Sequence, residues 1–246
     1  YVLPVSTSIL TKNMNMINQP LCENTQSSQY KKKVAVLGFS LQVPVQVNMG
    51  RLENIERGLA SQLSQRLKEQ NALVVYEQSQ VALHADLRNA PTHYSEQLTL
   101  SNAASFAKQA GVQFVVSGVI RDLSLEDPEA FSTNYWAKLK RLAGETNQNR
   151  LFIVDLFVHD GFSGEIVWQK QFSTQGKWQA DLTEHVGFES AAFWDEHYGQ
   201  EVALVLNDMA ANVTEQVRCQ PFMTRITRVD GKTLHFSSGA SSDIRP

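Results

Sequence analysis

Two uninterrupted apolar runs frame a helical stretch, and this arrangement most narrows what the chain can fold into. The first is KVAVLGF at 33–39 and the second VQFVVSGVI at 112–120. Runs of this kind, bounded by Gly and polar residues, belong to strands covered on both faces by helices. Between them Leu52, Ile55, Leu59, Leu63 and Leu67 recur at helical spacing, one stripe of an α-helix facing a sheet. Glu53 and Glu56 suit the positive end of that helix, and Arg66 and Lys68 the other. The reading is an α/β fold, a mixed sheet covered by helices.

The rest of the chain extends that unit. Leu41–Asn48, with Pro44 inside it, reads as a loop, Ala72–Tyr76 as a short strand and Gln78–Leu87 as a second helix that Pro91 ends. Ser101 is placed to cap a helix over residues 103–110, with Gly111 at the position that favours a left-handed backbone. The polar stretch Glu126–Asn149 reads as a surface loop. Leu151–His159 and Ile166–Ser173 flank the turn-rich DGFSGE, so an antiparallel hairpin is expected there. In the second of those strands, Ile166, Trp168 and Phe172 alternate with Gln169, Gln171 and Ser173, which implies one wet face. A long helix follows over 199–217, with Val202, Val205, Leu206, Met209, Val213 and Val217 on one side. A second hairpin at 222–237 turns on Asp230-Gly231. Residues 1–30, rich in Asn, Gln and Ser, read as a connector or the end of an upstream domain.

Composition excludes several functions. Twenty-two basic residues stand against 25 acidic ones, a net charge of −3, which leaves no electrostatic footprint for nucleic acid. The run Lys31–Lys33 is expected to solvate the start of the first strand. No apolar stretch approaches the roughly 18–20 residues a spanning helix needs, so membrane insertion is not expected. The chain starts at Tyr1 without Met and ends on Arg245-Pro246. Both ends read as cut, and the missing signal peptide carries no information about compartment.

Chemistry is sparse. The GFSGE string at 161–165 lacks both the Lys of a phosphate loop and the second glycine of a nucleophile elbow. The histidines at 84, 93, 159, 185, 197 and 235 form no two-ligand helix pattern. His159 beside Asp160, with Asp155 and Glu165 near in sequence, is the one candidate for proton exchange. Its structural alternative is that Asp160 makes the turn and His159 ends a strand. No catalytic, metal or cofactor residues are therefore assigned. Trp178, Phe188, Phe193, Trp194 and Tyr198 crowd a stretch that otherwise reads as loop. They are either interface anchors or a small core that fixes the loop. Cys22 and Cys219 flank the folded unit. They are a disulfide or two unrelated thiols; a bridge would close a loop of about 198 residues, worth at most about 5 kcal/mol, and would require an oxidising compartment.

Taken in order, KVAVLGF, RLENIERGLASQLSQRL (51–67), VQFVVSGVI, RLFIVDLFVHDGFSGE (150–165), FWDEHYG (193–199) and VRCQPF (217–222) resemble the flagellar assembly protein T family, over about residues 20–246. The resemblance implies a middle domain at 31–219, similar to the amino-terminal domain of TolB, and the start of an incomplete small β-barrel domain at 220–246. It also implies a non-enzymatic periplasmic part of the basal-body H-ring that helps retain stator-anchoring proteins. Its implied partners are further copies of itself, basal-body ring proteins and stator-associated periplasmic proteins. The alternative is a TolB-like module of another envelope or secretion complex.

Overall fold

A computed structural model describes residues 30–48, 52–83, 101–127, 135–136, 139, 148–179, 186–236 and 238–243. The elements, in chain order, are β1 (Lys33–Gly38), β2 (Ser40–Leu41), α1 (Val45–Asn48), α2 (Ile55–Glu69), β3 (Val74–Ala82), α3 (Ser101–Ala110), β4 (Phe114–Asp122), β5 (Asn149–Asp160), β6 (Ile166–Lys177), α4 (Ala191–Asp195), α5 (His197–Cys219), β7 (Ile226–Asp230) and β8 (Thr233–Phe236). The main sheet runs β3-β1-β4-β5-β6, with β2 paired beside β4. Its β3-β1-β4 half is parallel and its β4-β5-β6 half antiparallel. The fold is thus α/β with a mixed sheet and helices, without a closed barrel among the described residues.

Alternation of side chains along each strand divides the core between two faces. Val34 and Val36 of β1, Phe114, Val116 and Ile120 of β4, and Phe152, Val154, Leu156 and Val158 of β5 point into one cluster with α2 and α5. Ala35 and Leu37 of β1 and Val115 of β4 point the other way, against Ala107 of α3. Double coverage explains why β1 and β4 read as continuous apolar runs. The predicted stripe is fully buried, with Leu52 just ahead of α2 and Ile55, Leu59, Leu63 and Leu67 within it all at 0% exposure. Gly111 adopts φ 66° at the end of α3. In β6, Trp168 and Phe172 are buried and Gln171 and Ser173 exposed, as the alternation requires, while a register shift between Val158 and His159 sets Ile166 against Val119 and Phe157 instead of with Trp168.

Three local expectations are corrected. Residues 78–82 are not helical. They continue β3, because the edge of β1 is open there and pairs Val36 with Glu77 and Leu37 with Gln78; residues 84–87 of the expected helix lie outside the described residues. The loop at 41–48 contains β2 and the single turn α1, begun by Pro44, whose missing N–H costs nothing at a helix start. Lys32 does not solvate its strand. It is 1% exposed, and its Nζ donates to the Arg218 carbonyl at the end of α5, 2.8 Å away. Burial, and then the neighbouring Arg218 charge, pull the Lys32 amine down to about 8.

Close approaches fix how α5 lies. A Cβ on Gly176 of β6 would stand 2.6 Å from the Tyr198 Cα, so only glycine lets the start of α5 reach the sheet. Tyr198, Val202, Leu206, Met209, Val213 and Val217 then bury one face of the helix. There is no free cysteine among the described residues. Cys219 ends α5, while Cys22 lies outside the described residues. Residues 1–29 of the expected connector and most of the expected 126–149 loop also lie outside them.

β7 and β8 pair antiparallel with a bulge between Ile226 and Arg228. The extra residue brings Ile226, Val229, Leu234 and Phe236 onto one face of the hairpin, each about half exposed. Arg228, Asp230 and His235 share the other face, where the Asp230 carboxylate lies beside both the Arg228 guanidinium and the His235 ring.

Candidate functional site

An open groove of about 790 Å³ lies where β1 and β3 end and the chain turns into α1 and α2. Its apolar floor includes Phe39, Leu41 and Val47, and its rim includes Glu53, Glu56 and Arg57. Phe39 is seated because Gly118 has no side chain; a Cβ there would stand 2.1 Å from the ring. The groove has the volume of a small-molecule site. The two carboxylates and the guanidinium sit at a helix start, and the hydroxyls of Ser40 and Ser79 also line the groove. Glu53 and Glu56 occupy the positive end of α2, where an anion would otherwise be favoured.

A buried arginine holds the two loops at that end of the sheet. Arg150 of β5 is 0% exposed. Its Nε donates to the Leu123 carbonyl at 3.1 Å and its Nη2 to the Gln46 carbonyl at 2.9 Å. The guanidinium stacks 5.0 Å from the Trp178 ring centroid and 5.6 Å from that of Tyr198. Burial lowers its proton affinity, against the opposing influence of Tyr198. Burial likewise pushes the Tyr198 phenol above its ordinary range, so it stays a neutral donor to the Leu151 carbonyl at 3.1 Å. Gln46 adds a bond to Asp122 and accepts from the Leu123 N–H. Arg150 escaped the sequence reading; the signal was a cation opening an otherwise apolar strand.

The aromatic residues singled out as possible interface anchors are drawn inside. Trp178, Phe193 and Tyr198 are fully buried and Phe188 is 6% exposed, with Trp194 partly buried against the same core. Ring centroids lie 4.7 Å apart for Phe188–Phe193, 4.8 Å for Phe193–Trp194 and 5.6 Å for Trp178–Tyr198. Each such pair is worth about 0.5–1.5 kcal/mol beyond its burial. In this arrangement they pack α4 and α5 against the sheet: Trp178, Phe188, Phe193 and Tyr198 are withdrawn from solvent, and Trp194 keeps part of its surface exposed.

The proton-exchange candidates are separated. Asp160 caps its own turn, accepting from the Phe162 and Ser163 N–H groups at 2.9 and 2.8 Å. His159 is fully buried, with Nε2 2.9 Å from the Ser117 Oγ. Asp155 is held instead by Arg121 at 2.6 Å and Gln171 at 2.9 Å. The serine, histidine and carboxylate therefore do not converge on a shared solvent-facing point. His84, His93 and His185 lie outside the described residues. Among the described residues no group of three His, Cys, Asp or Glu is placed to hold a metal, and no helix is long and apolar enough to cross a membrane.

Comparison with known proteins bears on the fold and the family. No curated protein matches the chain in sequence. Among solved structures, a hypothetical protein from Chlamydia trachomatis is similar at a TM-score of 0.52 and 16% identity, over 77% of this chain and 100% of that one. The PelC dodecamer from Paraburkholderia phytofirmans aligns at 0.41 and 13% identity, over 77% and 89%. Lipoprotein GNA1162 from Neisseria meningitidis aligns at 0.38 and 12%, over 73% and 99%. The model of the flagellar assembly protein T middle domain matches residues 23–188. That span takes in the sheet from β1 to β6 and the groove, and the chain belongs to the flagellar assembly protein T family.

Proposed function

We propose that the chain is a non-enzymatic, periplasmic building part of the flagellar basal body, contributing to the H-ring and to retention of the stator-anchoring proteins. The family match over residues 23–188 carries this reading. The scattering of Ser117, His159, Asp155 and Asp160 among packing and turn roles supports a part that works by contact. Its partners on this reading are further copies of itself, basal-body ring proteins and stator-associated periplasmic proteins.

The domain plan follows the same reading. Residues 31–219 form a TolB-like middle domain, closed by a bridge between Cys22 and Cys219 in an oxidising compartment. Residues 220–246 begin a small β-barrel. The single apolar face of the β7–β8 hairpin supports that last assignment, since a lone two-stranded hairpin is marginal in water.

Deleting the gene in its own host and purifying basal bodies tests the proposal. The expected result is lost swimming and an incomplete ring, both restored by the wild-type gene and by a His159→Ala variant that folds. Intact rings that never contain the protein would refute it and put a TolB-like module of another envelope complex in its place.

A further inference from the structure

The hairpin does not hang from the end of α5 by a free linker. Gln113, 3% exposed and just ahead of β4, turns its carboxamide onto the main chain that leaves α5. Its Nε2 donates to the Pro221 carbonyl at 2.7 Å, and its Oε1 accepts from the Met223 N–H at 3.1 Å. One amide thus reproduces the pairing a neighbouring strand would make, and fixes both position and direction of the 221–223 segment. The Gln113 carbonyl meanwhile accepts from the Gly161 N–H at 2.7 Å. Arg225 closes the same corner, donating to the Gly161 carbonyl at 3.0 Å with its guanidinium 4.5 Å from the Phe162 ring centroid.

The far side of the hairpin is tied as well. The Lys31 N–H donates to the Ser242 carbonyl at 3.3 Å and its amine lies 3.7 Å from Asp243, while Tyr30 packs on Phe222 at 5.4 Å between centroids. All these anchors sit at one end of the sheet, because β1 and β4 start there and β5 turns into β6 there. The space left at the joint is about 10 Å³, at the lower limit for a single water. A close-packed contact of this kind resists continuous deformation.

We propose that Gln113 is the positioning residue of a rigid joint that makes the β7–β8 hairpin and the α/β body one mechanical unit. A force or displacement applied to the hairpin then passes directly into β4 at the centre of the sheet. The inference concerns the joint itself and goes beyond the assembly reading, whose failure would leave it standing.

Residual dipolar couplings of the whole deuterated chain in a weakly aligning medium test it. Amides of β1, β4, β5, β6 and α5 define one alignment tensor, and amides 226–236 are fitted separately. In the wild type the two tensors are expected to coincide. In Gln113→Leu the hairpin tensor is expected to separate and lose magnitude while the body's is unchanged. If the leucine variant loses the dispersed spectrum of the body, Gln113→Glu is read in the same way, since it keeps the acceptor for Met223 and removes the donor to Pro221. Separate tensors in the wild type would overturn the rigid joint. Coincident tensors in the folded variant would overturn the role of Gln113.

Discussion

Replacing Arg150 with methionine tests whether the buried guanidinium is a necessity of the fold. The substitution leaves the Leu123 and Gln46 carbonyls without their donors inside the protein. Each unsatisfied group costs about 1–3 kcal/mol, so the pair loses about 2–6 kcal/mol. The stacking on Trp178 and Tyr198 adds roughly 0.5–2 kcal/mol per ring, part of which the thioether regains. Against this stands the desolvation of the cation, several kcal/mol that methionine no longer bears. Buried ion pairs can often be exchanged for apolar residues at no loss because both partners are removed together. Here the partners are backbone carbonyls and remain. The net expectation is about 2–4 kcal/mol of lost stability, which for a chain of this size is a fall in Tm of roughly 5–15 °C. Urea denaturation followed by far-UV circular dichroism measures it, with Arg66→Met, at a guanidinium 6.0 Å from the Trp194 ring, as the comparator expected to lose under about 1 kcal/mol. A variant at wild-type stability would refute the reasoning, since those carbonyls would then have found other donors.

Three further outcomes follow from the same structure. The folded Lys32 amine, at about 8, lies below its unfolded value, so between those pH values the unfolded chain binds more protons and stability contributed here rises with pH. The stability difference between wild type and Lys32→Met should therefore move in favour of wild type from pH 8 to 10, by at most about 1.4 kcal/mol per pH unit, and a flat difference in urea titrations would count against it. Gly176→Ala should cost about 1–3 kcal/mol by forcing α5 off the sheet, while Gly187→Ala, with open space around it, should stay within about 0.5 kcal/mol; equal melting temperatures for the two would remove the close-approach argument. Asp160→Ala should lose about 1 kcal/mol through its turn bonds and leave swimming intact in a strain that makes the folded variant, whereas abolished motility at wild-type stability would reopen a chemical role for that carboxylate.

Local pattern carried far in this chain because its main elements obey simple periods. The α2 stripe, the doubly covered β1 and β4, the β5–β6 hairpin and the apolar side of α5 each depend on spacing that a neighbour can only accept. Residues 78–82 show where that stops: their spacing allowed a helix, and the open edge of β1 made them a strand. Lys32 and Arg150 show it for charge. A cation is written as exposed by its chemistry, and only the ends of α5 and of the loops around Gln46 and Leu123, brought together from distant sequence, supply the carbonyls that let it be buried. The rings from Trp178 to Tyr198 were visible as a group, but whether they faced inward or outward depended on how closely Gly176 let α5 approach. Outside residues 78–82, element type was thus decided by neighbours along the chain. Burial, charge placement and the joint at Gln113 were decided by the closing of the sheet, since desolvation and hydrogen-bond partners exist only once remote segments meet.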